Sequence, residues 1–205
     1  MNRLTIIFVG FLITFATAWI GLAVVPSAHY GYGPDAATSE AEALVDQGRR
    51  VYMQNGCIYC HSQQISPRNF RSDQARGWGR RRTISSDYRD DKVAMLGTMR
   101  TGPDLANIGS RNPSPSWHYL HLYEPQLVSK GSIMPPFRFL FQRRKAGAAS
   151  EPGASNAASE PGAIALGNGD EIVPSTEARA LVAYLLSLKR DLGDPPEAFE
   201  PPAKE

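Results

Sequence analysis

The chain has 205 residues, a net charge of +2 and a mean hydropathy of −0.32. This length suits one compact domain with attachments, and the near-balanced charge gives nucleic-acid binding no support. Two cysteines cannot build a disulfide scaffold, while 18 glycines and 16 prolines predict a loop-rich fold.

Leu4 to Val25 (LTIIFVGFLITFATAWIGLAVV) contains no charged residue. At ~1.5 Å per residue it reaches roughly 33 Å, enough for a bilayer core of about 30 Å. Ala16-Thr17-Ala18 resembles a leader-cleavage site, but the apolar run continues to Val25, past the length of a leader's apolar core. Residues 1–28 are therefore expected to be an uncleaved transmembrane anchor. Trp19, Tyr30 and Tyr32 are placed to sit near its outer interface. Arg3 precedes the anchor and no Lys or Arg follows until Arg49, which favours a cytoplasmic N-terminus and an exported C-terminal domain.

Residues 29–39 form a linker. Ser39 or Thr38 caps a predicted helix beginning near Glu40, whose Leu44, Val45, Gly48, Val51 and Tyr52 recur at helical spacing. This helix leads into GCIYCH, residues 56–61. The arginine-rich stretch 62–100 is irregular, with a helix expected from Asp87 to Arg100 that turns Val93, Leu96 and Met99 inward. RTGPDLANIGSR (100–111) predicts a loop and then a helical turn. SWHYLHLY (116–123) predicts a short helix after Pro115. GSIMPPF (131–137) must be extended or turning, because Pro135 and Pro136 exclude a helix. Residues 145–171, with EPGA at 151–154 and again at 160–163, have few large apolar groups and read as a surface loop or disordered insertion. Ser175 caps a final helix with Leu181, Val182, Tyr184, Leu185 and Leu188 on its apolar face. The main domain thus runs over 40–192 and a proline-rich tail over 193–205.

The cysteines decide the chemistry. Structural zinc sites need four ligands, and the spacing of His29, His118 and His121 completes no zinc motif. A thioredoxin-like dithiol needs a preceding strand, and here a helix precedes. Cys-x-x-Cys-His has a specific use: two thiols add to the vinyl groups of one haem, and the histidine becomes the proximal iron ligand. Cys57, Cys60 and His61 are therefore expected to carry one covalently bound haem c. The second axial ligand comes from Met53, Met95, Met99, Met134, His29, His118 or His121. Met134 is favoured, since Pro135 and Pro136 stiffen the backbone beside it; thioether ligation raises the potential of a relay haem. A ligating imidazole needs an acceptor for its other N–H, and the Pro103 carbonyl is a candidate. Trp78 and Arg80, with Arg76, Arg81 and Arg82, are candidate donors to the haem propionates.

The layout resembles a class I cytochrome c domain: a helix with Gly48 and Tyr52, then CIYCH, GPDL, a late Met-Pro, and LVAYL at 181–185. In that family the first and last helices cross beside the haem, which implies a contact between Gly48 and Tyr184. More narrowly, the chain resembles the mono-haem subunit of cbb3-type cytochrome c oxidases (subunit II, FixO-like). The likeness lies in GCIYCHSQQISP (56–67), RSDQARGWGRR (71–81), GTMRTGPDLANIGSR (97–111), WHYLHLYEPQ (117–126) and GSIMPPF (131–137). It covers about 1–141 and 175–190, and departs at 142–171.

The resemblance implies a mostly α fold with one transmembrane helix and a cytochrome c-like domain with long loops. It also implies an electron-transfer subunit of the cell inner membrane, with its haem domain on the periplasmic side. Such a subunit takes electrons from a further haem c subunit or a soluble cytochrome c. It passes them to a catalytic haem–copper subunit that reduces oxygen, so no catalytic residue is expected here. A free-standing anchored cytochrome c is the alternative. A five-coordinate haem acting as gas sensor or peroxidase requires that Met134 not ligate.

Overall fold

The computed structural model describes residues 2–30, 39–88, 91, 93–146 and 162–190. Tyr32, most of the linker, both EPGA repeats up to residue 161 and the tail lie outside them. The chain divides into two compact units, residues 1–36 with 84–94, and residues 37–83 with 95–205.

The first unit contains one long helix. α1 (Arg3–Trp19) passes through a π-helical turn (Ile20–Val24) into α2 (Val25–Tyr30). Asn2 caps α1 by accepting from the Thr5 N–H at 2.8 Å. Its internal hydroxyls bond back within the helix, Thr14 to the Gly10 carbonyl and Thr17 to that of Ile13, both at 2.9 Å. An apolar medium demands such internal satisfaction. Arg3–Ala28 is long and apolar enough to cross a membrane, and none of the side chains in its most apolar stretch is buried.

The second unit is built on α3 (Glu40–Gln54) crossing α6 (Thr176–Ser187). Ser39 and Ser175 cap these helices as expected, accepting from Glu42 and Ala178 at 3.2 and 3.1 Å. The crossing is closest at Gly48, where a Cβ would lie 1.9 Å from the Ala180 carbonyl oxygen and 2.7 Å from Tyr184 Cβ. One turn on, the Tyr52 and Tyr184 rings meet edge to face at 5.5 Å. α4 (Ile108–Arg111) packs on α6 through Gly109, and α5 (Pro115–Tyr123) adds Tyr119 and Leu122 to the same buried cluster. The fold is mostly α with an apolar N-terminal helix.

Two expectations are corrected. No helix runs from Asp87 to Arg100. A 3-10 turn spans Ser85–Tyr88, and the backbone beyond Ala94 is non-helical. Gly97 has φ +67°, and the Leu96 carbonyl accepts from the Gln63 N–H at 2.7 Å, so this strip lies against the segment after His61. Met95 is buried there, while Val93, Leu96 and Met99 are exposed.

The insertion is also not structureless throughout. Its ends enter a three-stranded antiparallel sheet of order β1-β3-β2, with β1 Phe141–Lys145, β2 Ile164–Ala165 and β3 Asp170–Pro174. Phe141 pairs with Pro174, Lys145 with Asp170, and Ile164 with Ile172. Gly167 and Gly169, at φ +77° and +81°, turn the chain between β2 and β3, a conformation glycine adopts without steric cost. Ile172 and Val173 bury into the core, and Lys145 pairs with Asp170 at 2.6 Å.

Candidate functional site

Two residues past the end of α3, Gly56, with φ of +69°, lets the chain reverse into a 3-10 turn over Cys57–Tyr59. The His61 N–H bonds to the Cys57 carbonyl at 3.0 Å, so the turn sets both cysteines and the histidine relative to one another. Both thiols are free; Cys57 is half-buried and Cys60 exposed. Burial pushes the Cys57 thiol up to about 11, so it is held protonated.

The segment after His61 is stitched to GPDL. Gly102 N–H donates to the Cys60 carbonyl at 2.9 Å, and Leu105 N–H to that of Ser62 at 2.8 Å. The buried Asp104 carboxylate accepts from Ser62 Oγ at 2.6 Å, and from the Gln64 and Ala106 N–H groups at 2.8 Å each. Arg100 adds charge 3.7 Å from Asp104 and also pairs with buried Asp73. Gln63 reaches the other way, its Nε2 donating to the Tyr184 hydroxyl of α6 at 2.9 Å.

This frame fixes His61. Its Nδ1 lies 2.7 Å from the Pro103 carbonyl oxygen. A carbonyl can only accept, so Nδ1 carries the hydrogen and, in the neutral ring, Nε2 keeps its lone pair. Burial lowers the His61 pKa and favours that neutral form, outweighing the opposite pull of the Pro103 contact. The ring lies so close over Gly102 that a Cβ there would be 2.3 Å from Cε1.

His61, Cys57, Cys60, Pro103, Trp78 and Met134 all line one cavity of about 680 Å³. Its remaining wall is largely apolar, with Leu105 from the loop before α4 and Tyr52, Ile108, Leu122, Leu181 and Leu185 from α3, α4, α5 and α6. Met134 sits on a loop that turns at Gly131 (φ +79°) and is tied to α5 by the Phe137 N–H bond to the Leu122 carbonyl at 2.8 Å. Arg80 is not on this cavity. It lines an adjoining groove of about 1160 Å³ with Arg68, Phe70 and Arg71, and Trp78 and Arg111 border both spaces. Arg76 stacks over the Trp78 ring at 5.1 Å.

Three cavity residues were not singled out as primary candidates in the sequence. Arg111, at the end of α4, donates to the Asp104 carbonyl, while its buried Nε has no partner. Its signal was a lone cation ending a helical turn after GPDL. His118 is buried and its Nε2 lies 2.9 Å from the Asn112 carbonyl, so packing occupies it. His121 stacks on Trp117 with ring centroids 4.6 Å apart and planes 7° apart. Burial first, then the nearby His61 and His118, pull His121 down to about 4.

The arrangement fits a haem c. A lone-pair nitrogen and a thioether line the same apolar space, two free thiols stand beside the nitrogen, and a buried guanidinium Nε lacks the anion it could donate to. A comparison with curated proteins found no match. A family model described as cytochrome C oxidase, mono-heme subunit/FixO matches residues 3–160. That match spans most of the chain, from the apolar N-terminal helix through the cavity-lining loop of Met134, and the chain belongs to the FixO family, the mono-haem subunits of cbb3-type cytochrome c oxidase.

Proposed function

We propose that the chain is a membrane-anchored electron relay that delivers electrons to the haem–copper catalytic subunit of its oxidase. Bound haem c would supply a one-electron iron couple. Cys57 and Cys60 would hold it through thioethers, His61 and Met134 would supply nitrogen and sulfur ligands to its iron, and Trp78 and Arg111 would offer donors to its carboxylates. Arg80 lies one groove further out and contributes positive charge there.

The chain's own contribution is positioning. Pro103 and Gly102 hold the imidazole in one tautomer and one orientation, which limits reorganisation when the charge changes. The largely apolar wall, with thioether ligation, would favour the reduced state. The donor would be a further haem c subunit or a soluble cytochrome c. The anchor would hold the chain in the inner membrane with the haem domain on the periplasmic side, as Arg3 before the span suggests.

The observation that carries this reading is the convergence of His61, Met134 and both thiols on one cavity. A pyridine-haemochrome spectrum joined to mild-detergent purification tests it. The expected result is one haem c per chain, co-eluting with a polytopic subunit that carries b-type haem. A stable isolated monomer would exclude the subunit role. Replacing Cys57 and Cys60 together with serine should abolish haem staining after denaturing electrophoresis; retained stain would exclude thioether attachment.

A further inference from the structure

The cavity that Met134 lines holds a second side chain able to ligate iron. His121 lines the same space, and its Nε2 has no hydrogen-bond partner among the described residues. Its Nδ1 lies 3.4 Å from Ser129 Oγ, a contact in which Nδ1–H can donate to the hydroxyl and leave the Nε2 lone pair available. His118 differs, because the Asn112 carbonyl already occupies it.

The two donors stand on unlike supports. Met134 belongs to a largely exposed loop held by few hydrogen bonds, among them Ser132 N–H to the Ser129 carbonyl at 3.0 Å and Met134 N–H to Ser132 Oγ at 3.2 Å. His121 belongs to α5, whose neighbouring His118, Tyr119 and Leu122 are buried in the core, and its ring is braced by Trp117. Loops open at lower free energy than packed helices.

On the haem-binding reading above, we propose that His121 is a reserve axial ligand, which takes the position of Met134 when the Met134 loop moves away. One lone-pair donor replaces another: the Fe–S bond breaks, an Fe–N bond to Nε2 forms, and no electron or proton changes hands. The site then has two low-spin states, a high-potential His61/Met134 pair and a low-potential His61/His121 pair, rather than an open iron that binds gases.

The test uses the full-length chain in detergent as wild type, Met134→Leu, His121→Leu and the double variant, with far-UV circular dichroism and haem content recorded for each. Wild type and His121→Leu should show the near-infrared methionine–iron band. Met134→Leu should lose that band, remain low-spin with a bis-imidazole electron paramagnetic resonance signal, and fall in potential. The double variant should become high-spin and bind carbon monoxide. A high-spin Met134→Leu protein overturns the proposal, and so does a double variant that stays low-spin. Should a variant fail to fold, mild denaturant serves instead. Where it removes the methionine band before global unfolding, wild type should stay low-spin and His121→Leu should not; equal behaviour overturns the proposal. Absence of haem c from wild type is a different outcome, and it defeats the functional reading itself.

Discussion

At the scale of single residues the site depends on what is missing as much as on what is present. Gly102 has no Cβ, and the His61 ring occupies that space. Alanine there would force the ring or the backbone to move, which for overpacking costs about 1–3 kcal/mol. Gly102→Ala is expected to lower the denaturation midpoint and shift the haem absorption bands; unchanged values for both would show that the ring has room. Asp73 makes a second residue-scale case. Burial raises its carboxyl, but hydrogen bonds from Arg100 and the Ser66 N–H, with the Arg100 charge, outweigh that and hold it below the usual carboxylate range. A folded pKa below the unfolded value stabilises the protein above the unfolded value, and the gain is lost as pH falls through the folded one. Asp104 acts in the opposite sense, because burial raises its pKa. Asp73→Asn therefore isolates one contribution. It should lose about 1.5–3 kcal/mol at neutral pH, as for a hydrogen bond to a charged group, and show a flatter decline in acid. Of these residues, GPDL and CIYCH were legible in the sequence because their chemistry is local. Asp73 and Arg111 were not, because their partners lie 27 and 7 positions away and only folding selects them.

Among the elements, the helix crossing governs stability. Alanine in place of Gly48 would gain up to about 1 kcal/mol of helix propensity. The added Cβ would meet the Ala180 carbonyl at 1.9 Å, and backbone cannot step aside as a flexible side chain can. The steric term wins, so Gly48→Ala is expected to destabilise by at least about 1–3 kcal/mol. Chemical denaturation would measure it, and an unchanged midpoint would mean that the helices do not cross here. The helices themselves were readable, since caps at Ser39 and Ser175 and the 3.6-residue period are written in neighbouring residues; the Ser114 cap of α5 emerged only in the structure. The expected helix over 87–100 failed because its apparent period, Val93, Leu96 and Met99, was surface. The residue that buries is Met95, on a strip held open at Gly97. The sheet was missed for a related reason. Its strands have two to five residues and pair across the insertion, so no local alternation announces them.

For the whole molecule, one exposed apolar helix and one cavity-bearing unit follow each other along the chain. The sheet adds a separate property. β1 leads into the insertion, and β2 and β3 bring the chain back to pair beside it. Both ends of the insertion are therefore pinned by backbone hydrogen bonds such as Ala146 N–H to the Gly169 carbonyl at 3.0 Å. Loop-closure entropy changes by only about 0.6 kcal/mol per doubling of length. Replacing residues 148–160 with a short Gly-Ser linker should leave the denaturation midpoint and haem spectrum nearly unchanged; a large loss would show that the segment contributes to the core. The stretch between the strands is thus open to evolutionary experiment. On that prediction, a fluorophore or affinity tag placed between the strands would leave the cavity-bearing core intact, which makes the segment a handle for labelling the folded chain.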